Sequence, residues 1–163
     1  MADAQPPMPP PVSHTPPTPE PMTGVPRGPR ASFWLRFVAT VVDNILLGLI
    51  SNVILRALLG SGAATALGLA IGIAYYVYLE GSPSGQTVGK KVMNIRVISF
   101  TTGGPAGYGA ATIRYFARIL SALPLLLGYF WMLWDDEKQT WHDKLSSTVV
   151  VPTASYPVEK WPG

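Results

Sequence analysis

The first candidates for chemistry are polar side chains that interrupt an apolar stretch between residues 33 and 59. At about 100° per residue, five of them fall on one face of a helix, whereas Arg56 at the far end does not. This polar stripe consists of Arg36, Thr40, Asp43, Asn44 and Ser51. The stretch is longer than the roughly 20 apolar residues that cross a bilayer. The sequence therefore predicts a membrane-spanning helix with a polar site on one face.

Asp43 is the member of the polar stripe that most needs a partner. It lies about 15 Å into the stretch, whereas Arg36 is near the start and can extend to the lipid headgroups. Inserting a carboxylate at a helix centre costs roughly 2.5 to 3.5 kcal/mol, so such a group faces other protein. Asp43 either exchanges a proton or a cation, or it holds helices together through hydrogen bonds.

The composition also favours a membrane protein. Of the 163 residues, 48% are hydrophobic and 13% are charged, whereas about 25% are charged in ordinary soluble domains. The net charge of +3 could favour nucleic acid. The basic residues lie beside apolar stretches, however, and form no patch interleaved with aromatic residues, so no nucleic-acid partner is expected.

Several kinds of chemistry are disfavoured by the residue types. The chain has no cysteine, which excludes disulfides and thiolate catalysis. Its two histidines, His14 and His142, are too few for a metal site without further ligands. Neither a nucleophile elbow nor a pair of catalytic carboxylates is present. We therefore expect no enzymatic activity, no metal and no cofactor.

The apolar stretches divide the chain into an arm and three predicted helices. Residues 1–30 hold most of the 17 prolines and are predicted to be a disordered arm. A second helix is predicted at 63–79. Small residues every four positions, which let helix backbones approach closely, give this helix a packing face against the first. They are Ala64, Gly68 and Gly72.

A third apolar helix is predicted at 116–134, where Pro124 should cause a kink. It is either one bent span or a re-entrant pair of half-helices; three spans are favoured. Thr148–Val151 and Ile95–Ile98 are rich in β-branched residues and could form a pair of strands. That pairing requires both segments to lie on the same side of the membrane, so it would favour the re-entrant alternative.

The distribution of basic residues predicts the orientation. Arginines precede the first helix, and four basic residues follow the second, whereas the turn between the helices has only Arg56 nearby. By the positive-inside rule the N-terminus is cytoplasmic. Lys90 and Lys91 are predicted to bind anionic headgroups. Each such lysine strengthens binding to the membrane surface by about 1 kcal/mol.

Several separated motifs resemble those of the RDD family of small bacterial membrane proteins. The family is named after one arginine and two aspartates, which correspond here to Arg36, Asp43 and Asp143. The resemblance covers residues 31–152 and leaves 153–163 as a flexible tail. The other matching positions are Gly85, Gln86, Thr87, Gly89, Lys90, Arg118, His142 and Thr148. The resemblance implies a multi-pass protein of the bacterial inner membrane.

Two functions remain open at this stage. The favoured one is a non-catalytic accessory or assembly subunit that packs against other membrane proteins or a second copy of itself. The alternative is a transporter or a proton or cation exchanger that uses Asp43. Three short spans enclose little volume, so a transport pathway would require an oligomer.

Overall fold

Two long apolar helices form an antiparallel hairpin in the computed structural model, which describes residues 25–162. Helix α1 spans Phe33–Leu59 and α2 spans Ser61–Gly81. Their 27 and 21 residues correspond to about 40 and 30 Å, enough to cross the hydrocarbon layer. The first two predicted helices are therefore confirmed as candidate membrane spans. Gly60, with φ of +76°, makes the turn between them.

The predicted packing face on α2 meets α1 along only part of its length. Ala64 is buried. A Cβ atom on Gly68 would lie 2.6 Å from the hydroxyl oxygen of Ser51, so this glycine lets α1 approach. A Cβ atom on Gly72 would meet no atom within 4 Å. The lack of a side chain at Gly72 therefore has no packing role within the described residues.

The third helix is broken rather than kinked. Helix α4 spans Gly107–Ala122, α5 spans Leu127–Leu133, and their axes differ by 113°. Pro124 lies in the break, and two leucines after it have positive φ angles, which reverse the chain direction. A third membrane span is not confirmed. The helix also begins at Gly107 rather than at residue 116, because its first turns pack on the end of α2.

A small sheet and two short helices complete the fold. Strand β1 (Ile95–Ser99) pairs antiparallel with β2 (Thr148–Pro152), with Val97 opposite Val150. The predicted strand pair is therefore confirmed. Both faces of the sheet are covered by buried apolar residues. Two five-residue helices, α3 (Val88–Val92) and α6 (Trp141–Leu145), precede β1 and β2 respectively.

Both ends of the described chain pack against this sheet. The predicted arm lies mostly outside the described residues, but the backbone N–H of Gly28 donates to the Tyr156 hydroxyl at 2.8 Å. In the predicted flexible tail, Tyr156 is buried, and the Trp161 indole donates to the carbonyl of Gln86 at 3.0 Å. Residues 25–30 and 153–162 thus have fixed contacts where the sequence predicted none.

Candidate functional site

Asp43 is buried and accepts three hydrogen bonds from other parts of the chain. Its carboxylate oxygens lie 2.6 Å from the Tyr75 hydroxyl, 2.6 Å from the Thr87 hydroxyl and 2.7 Å from the backbone nitrogen of Gly89. The Tyr75 hydroxyl in turn accepts from the backbone N–H of Val88. A carboxylate with three donors is satisfied without a ligand. Asp43 therefore joins α1, α2 and the start of α3.

The residue types of α3 explain how its backbone approaches α1 so closely. Thr87 is the N-cap of α3, and its hydroxyl accepts from the backbone N–H of Lys90 at 3.3 Å. Gly89 has no side chain, and a Cβ atom there would overlap the carbonyl oxygen of Ala39 in α1. The position therefore requires glycine for contact with α1.

The loop before α3 is held by β1. Gly85 has φ of +62°, a left-handed conformation that glycine adopts at little cost. Its carbonyl accepts from the backbone N–H of Val97 at 2.8 Å. The side-chain amide of Gln86 donates to the carbonyl of Ile95 at 2.9 Å. These contacts place Thr87 and the first turn of α3 beside Asp43.

Arg36 pairs with Asp143, not with Asp43. A guanidinium nitrogen of Arg36 lies 2.6 Å from a carboxylate oxygen of Asp143. Asp143 also accepts from the backbone N–H of Thr140 at 3.1 Å, in a capping box that starts α6. Burial raises the pKa of Asp143, but Arg114 and Arg36 outweigh burial and hold this pKa well below its usual range. Asp143 is therefore a stable anion at neutral pH.

Glu80, near the end of α2, is the centre of a second ion-pair cluster. Its carboxylate contacts the Lys90 ammonium and the Arg118 guanidinium, and lies 3.0 Å from the Nε atom of Arg114. Only 1% of its side chain is exposed. A buried carboxylate needs such partners to remain charged. Glu80 thus joins α2 to α3 and α4.

Arg114 connects the two clusters. Its guanidinium contacts Asp143 as well as Glu80, and it donates to the hydroxyl of Thr148 at 2.7 Å. Only 3% of its side chain is exposed. A planar guanidinium can present donors to both acids at once. We call the linked residues the charge network; they are Arg36, Glu80, Lys90, Arg114, Arg118 and Asp143.

His142 borders the charge network as a neutral residue. Its Nδ1 atom lies 3.0 Å from the Ser121 hydroxyl, and its ring is 5.0 Å from the ring of Tyr129. Burial lowers the pKa of His142 well below its usual value, although Asp143 acts in the opposite direction. Its contacts are structural ones within the fold. Among the described residues 25–162, no group of three or more histidines and acids could hold a metal ion.

The polar stripe predicted from the sequence does not form one site. Arg36 does not extend to the headgroups, because Asp143 holds its side chain in the protein. Ser51 lies against Gly68, and Asn44 is exposed beside a second cavity that Lys90 and Arg118 also line. The residues of the stripe therefore have different surroundings: Arg36 pairs with Asp143, Asp43 accepts from the loop before α3, and Asn44 is exposed.

The predicted headgroup-binding lysines also differ from each other. Lys90 does not present its ammonium at the surface, because it is buried in the pair with Glu80. Lys91 is exposed, and its ammonium lies 3.9 Å from the centre of the Trp161 ring. Only Lys91 is thus placed where an exposed headgroup could reach it.

Sequence reasoning missed Glu80, Arg114 and Tyr75 as members of these clusters. In the sequence, Arg114 is one of the four basic residues that follow the second helix, and Tyr75 is one of several tyrosines near the end of that helix. The available signal was the single acid at the end of an apolar helix, since a charge there requires a partner. Nothing in the local sequence identifies that partner.

A comparison with protein families supports the resemblance seen in the sequence. The profile described as the RDD family matches residues 30–147. The chain belongs to the RDD family. The resemblance seen in the sequence is thus confirmed, and the ion pair of Arg36 with Asp143 joins two of the residues that correspond to the RDD name.

Individual relatives of this RDD chain include mycobacterial and Bacillus proteins. A proline-rich antigen homolog of Mycobacterium tuberculosis is 39% identical over 85 residues, covering 52% of this chain and 35% of the relative. The uncharacterized protein YxaI of Bacillus subtilis is 28% identical, covering 74% of this chain and 96% of the relative. The match thus spans about a third of the mycobacterial relative's length. No solved structure matches the chain significantly.

Proposed function

We propose that this RDD protein is a non-catalytic accessory or assembly subunit of a larger complex in the bacterial inner membrane. The observation that carries the proposal is the environment of Asp43. Three donors from its own chain satisfy this carboxylate, and 1% of the residue is exposed. An exchange site must release its partners to bind a proton or cation in each cycle, whereas a structural contact need not.

The broken third helix supports a topology with two spans and both flanks in the cytoplasm. Helix α4 has 16 residues, or about 24 Å, which is too short to cross the hydrocarbon layer. One face carries buried Arg114 and Ser121, and the other carries exposed Phe116 and Leu120. Such a helix fits the membrane interface, with its apolar face in the lipid. The strand pair supports the same topology, because β1 follows α2 and β2 follows the broken helix, and paired strands must lie on the same side of the membrane.

The proposed partners are lipid and a second protein. Much of the surface of α1 and α2 is apolar and exposed, as expected for contact with lipid or with other membrane helices. Another membrane protein or a second copy of this chain would cover part of that surface. The proline-rich arm would extend over the cytoplasmic face of the partner, and Lys91 would contact anionic headgroups.

The first test is whether the full chain purifies in a complex with another protein after mild detergent extraction. We expect co-purification with another membrane protein at a fixed ratio, measured by native gel and mass spectrometry. An Asp43→Asn variant should still assemble, because the amide can keep hydrogen bonds in this position. Asp136→Asn, at an exposed residue, is the matched control. A wild-type protein that runs alone or as a small homo-oligomer would overturn the accessory role.

The alternative, exchange through Asp43, has its own readout. If Asp43 exchanges a proton or cation, the wild-type protein in liposomes will carry that flux. Asp43→Asn will then abolish the flux, whereas Asp136→Asn will not. We expect no flux from any of the three proteins.

Single cysteines test the proposed topology, because the native chain has none. We expect Thr101→Cys and Ser155→Cys to react with a membrane-impermeant maleimide only after cell disruption. Ser61→Cys, in the turn of the hairpin, should react in intact cells. Labelling of Ser155→Cys in intact cells would indicate a third span and contradict the proposed arrangement.

A further inference from the structure

A cavity of about 280 Å³ lies between the start of α1 and the break of the third helix. Four cationic side chains line its inner end: Arg36, Lys90, Arg114 and Arg118. Three hydroxyl-bearing residues, Thr40, Tyr129 and Thr140, also contribute to the lining. The inner end therefore offers many donors and positive charges to one ligand.

The charge network around this cavity has an excess of positive charge. Its four cations are balanced by only two carboxylates, Glu80 and Asp143. Even with the neighbouring Asp43 included, one positive charge of the network remains unbalanced among residues 25–162. Between 3% and 17% of each cationic side chain is exposed. Uncompensated charge is costly at such burial, so an anion in the cavity would stabilise the network.

The outer part of the cavity is apolar. Phe33 and Phe130 stack with their ring centres 5.6 Å apart, and Phe37 and Leu126 continue the lining. Phe37 and Leu126 are about half exposed, at 50% and 49%, so they also reach the outer surface. A free inorganic ion would use only the inner end. An amphiphile with an anionic head would use both parts.

We propose that this cavity binds one anionic phospholipid, with its phosphate at Arg36, Lys90 and Arg118 and its acyl chains along Phe37, Leu126 and Phe130. Guanidinium groups suit this role because they bind phosphate oxygens through paired hydrogen bonds. The site is independent of the proposed accessory role. It also differs from headgroup binding at the exposed Lys91, because the lipid enters a cavity.

Ala122 allows a test that leaves every charge in place. It is exposed and lines the cavity, so Ala122→Trp would fill the space for the lipid. Leu120→Trp is the matched control, because Leu120 lies on the exposed apolar face of the same helix and outside the cavity lining. The full-length proteins are purified in detergent and mixed with phosphatidylglycerol or phosphatidylcholine. Native mass spectrometry then counts the retained lipids.

We expect the wild type and Leu120→Trp to retain one phosphatidylglycerol, and Ala122→Trp to bind it about tenfold more weakly, a loss of 1.4 kcal/mol. Arg118→Gln should weaken retention of phosphatidylglycerol but not of phosphatidylcholine. Equal retention of the two lipids, or of phosphatidylglycerol by both tryptophan variants, would overturn the proposal. A rise in melting temperature with inorganic phosphate but not with phosphatidylglycerol would overturn the assignment to a lipid.

Discussion

Arg36 and Asp143 form a buried ion pair of 2.6 Å although 107 residues separate them in the chain. The pair joins the N-terminal end of α1 to α6. Asp143 also contacts Arg114, so its loss leaves the Arg36 guanidinium without a carboxylate and removes one of the two carboxylates that Arg114 contacts. Removing one partner of a buried ion pair lowers stability more than replacing both partners with apolar residues does, because the remaining charge stays desolvated.

We expect Asp143→Asn to lower the free energy of unfolding by about 3 to 5 kcal/mol. Chemical denaturation in detergent micelles, followed by tryptophan fluorescence, measures this change. Asp136→Asn makes the same chemical change at an exposed residue and should alter stability by less than about 0.5 kcal/mol. Equal effects of the two substitutions would contradict the structural role of Asp143.

Arg114→Lys tests whether Arg114 bridges Glu80 and Asp143. A lysine keeps the charge but has one ammonium group, which cannot present a planar fork to two acids. The substitution should lower the free energy of unfolding by about 1.5 to 3 kcal/mol, the value of a hydrogen bond to a charged group. Arg56→Lys, at an exposed position on α1, is the control and should have little effect. A neutral Arg114→Lys variant would show that charge alone suffices there.

The membrane helices could be predicted from the sequence because their signal is local. A long apolar stretch identifies α1 and α2 whatever surrounds them. The strand pair was also predictable from its β-branched residues. The break at 123–126 was only half predictable: Pro124 signals an interruption, but the angle depends on the packing of α4 against α2 and α6, which local sequence does not encode.

The candidate site was predictable only in part, because its contacts are long-range. The resemblance supplied Arg36, Asp43 and Asp143, yet helical periodicity suggested that the first two belong together. The structure separates them, since Asp43 is satisfied by the loop and Arg36 by α6. Glu80 is signalled only as the single acid at the end of one apolar helix, and Arg114 has an ordinary position inside another. Their importance arises from tertiary packing alone.

Gly89→Ala tests the close contact between α3 and α1. The added methyl group would overlap the carbonyl oxygen of Ala39 and push the loop away from Asp43. We expect a loss of about 1 to 3 kcal/mol in the free energy of unfolding, as for overpacking elsewhere. Gly72→Ala is the matched control. Its Cβ atom meets open space within a helix, so it should stabilise by about 0.5 to 1 kcal/mol.

His142 should make stability depend on pH near neutrality. Burial lowers its pKa in the folded protein, while in the unfolded chain the pKa is about 6.5. Below that value the unfolded state binds a proton that the folded state does not, so stability is lost as pH falls. Between about pH 7.5 and pH 5.5 this linkage lowers the free energy of unfolding by about 1.4 kcal/mol.

The two histidines of the chain separate this effect from other titrations. His142→Gln should be less stable at pH 7.5, because it changes the contact with Ser121, but its stability should vary little down to about pH 5.5. His14→Gln, in the proline-rich arm, should keep the wild-type dependence. Carboxylates contribute little in this interval, since the pKa values of Asp143 and Asp135 are lowered. A pH dependence that survives in His142→Gln would mean that this imidazole already accepts a proton in the folded protein.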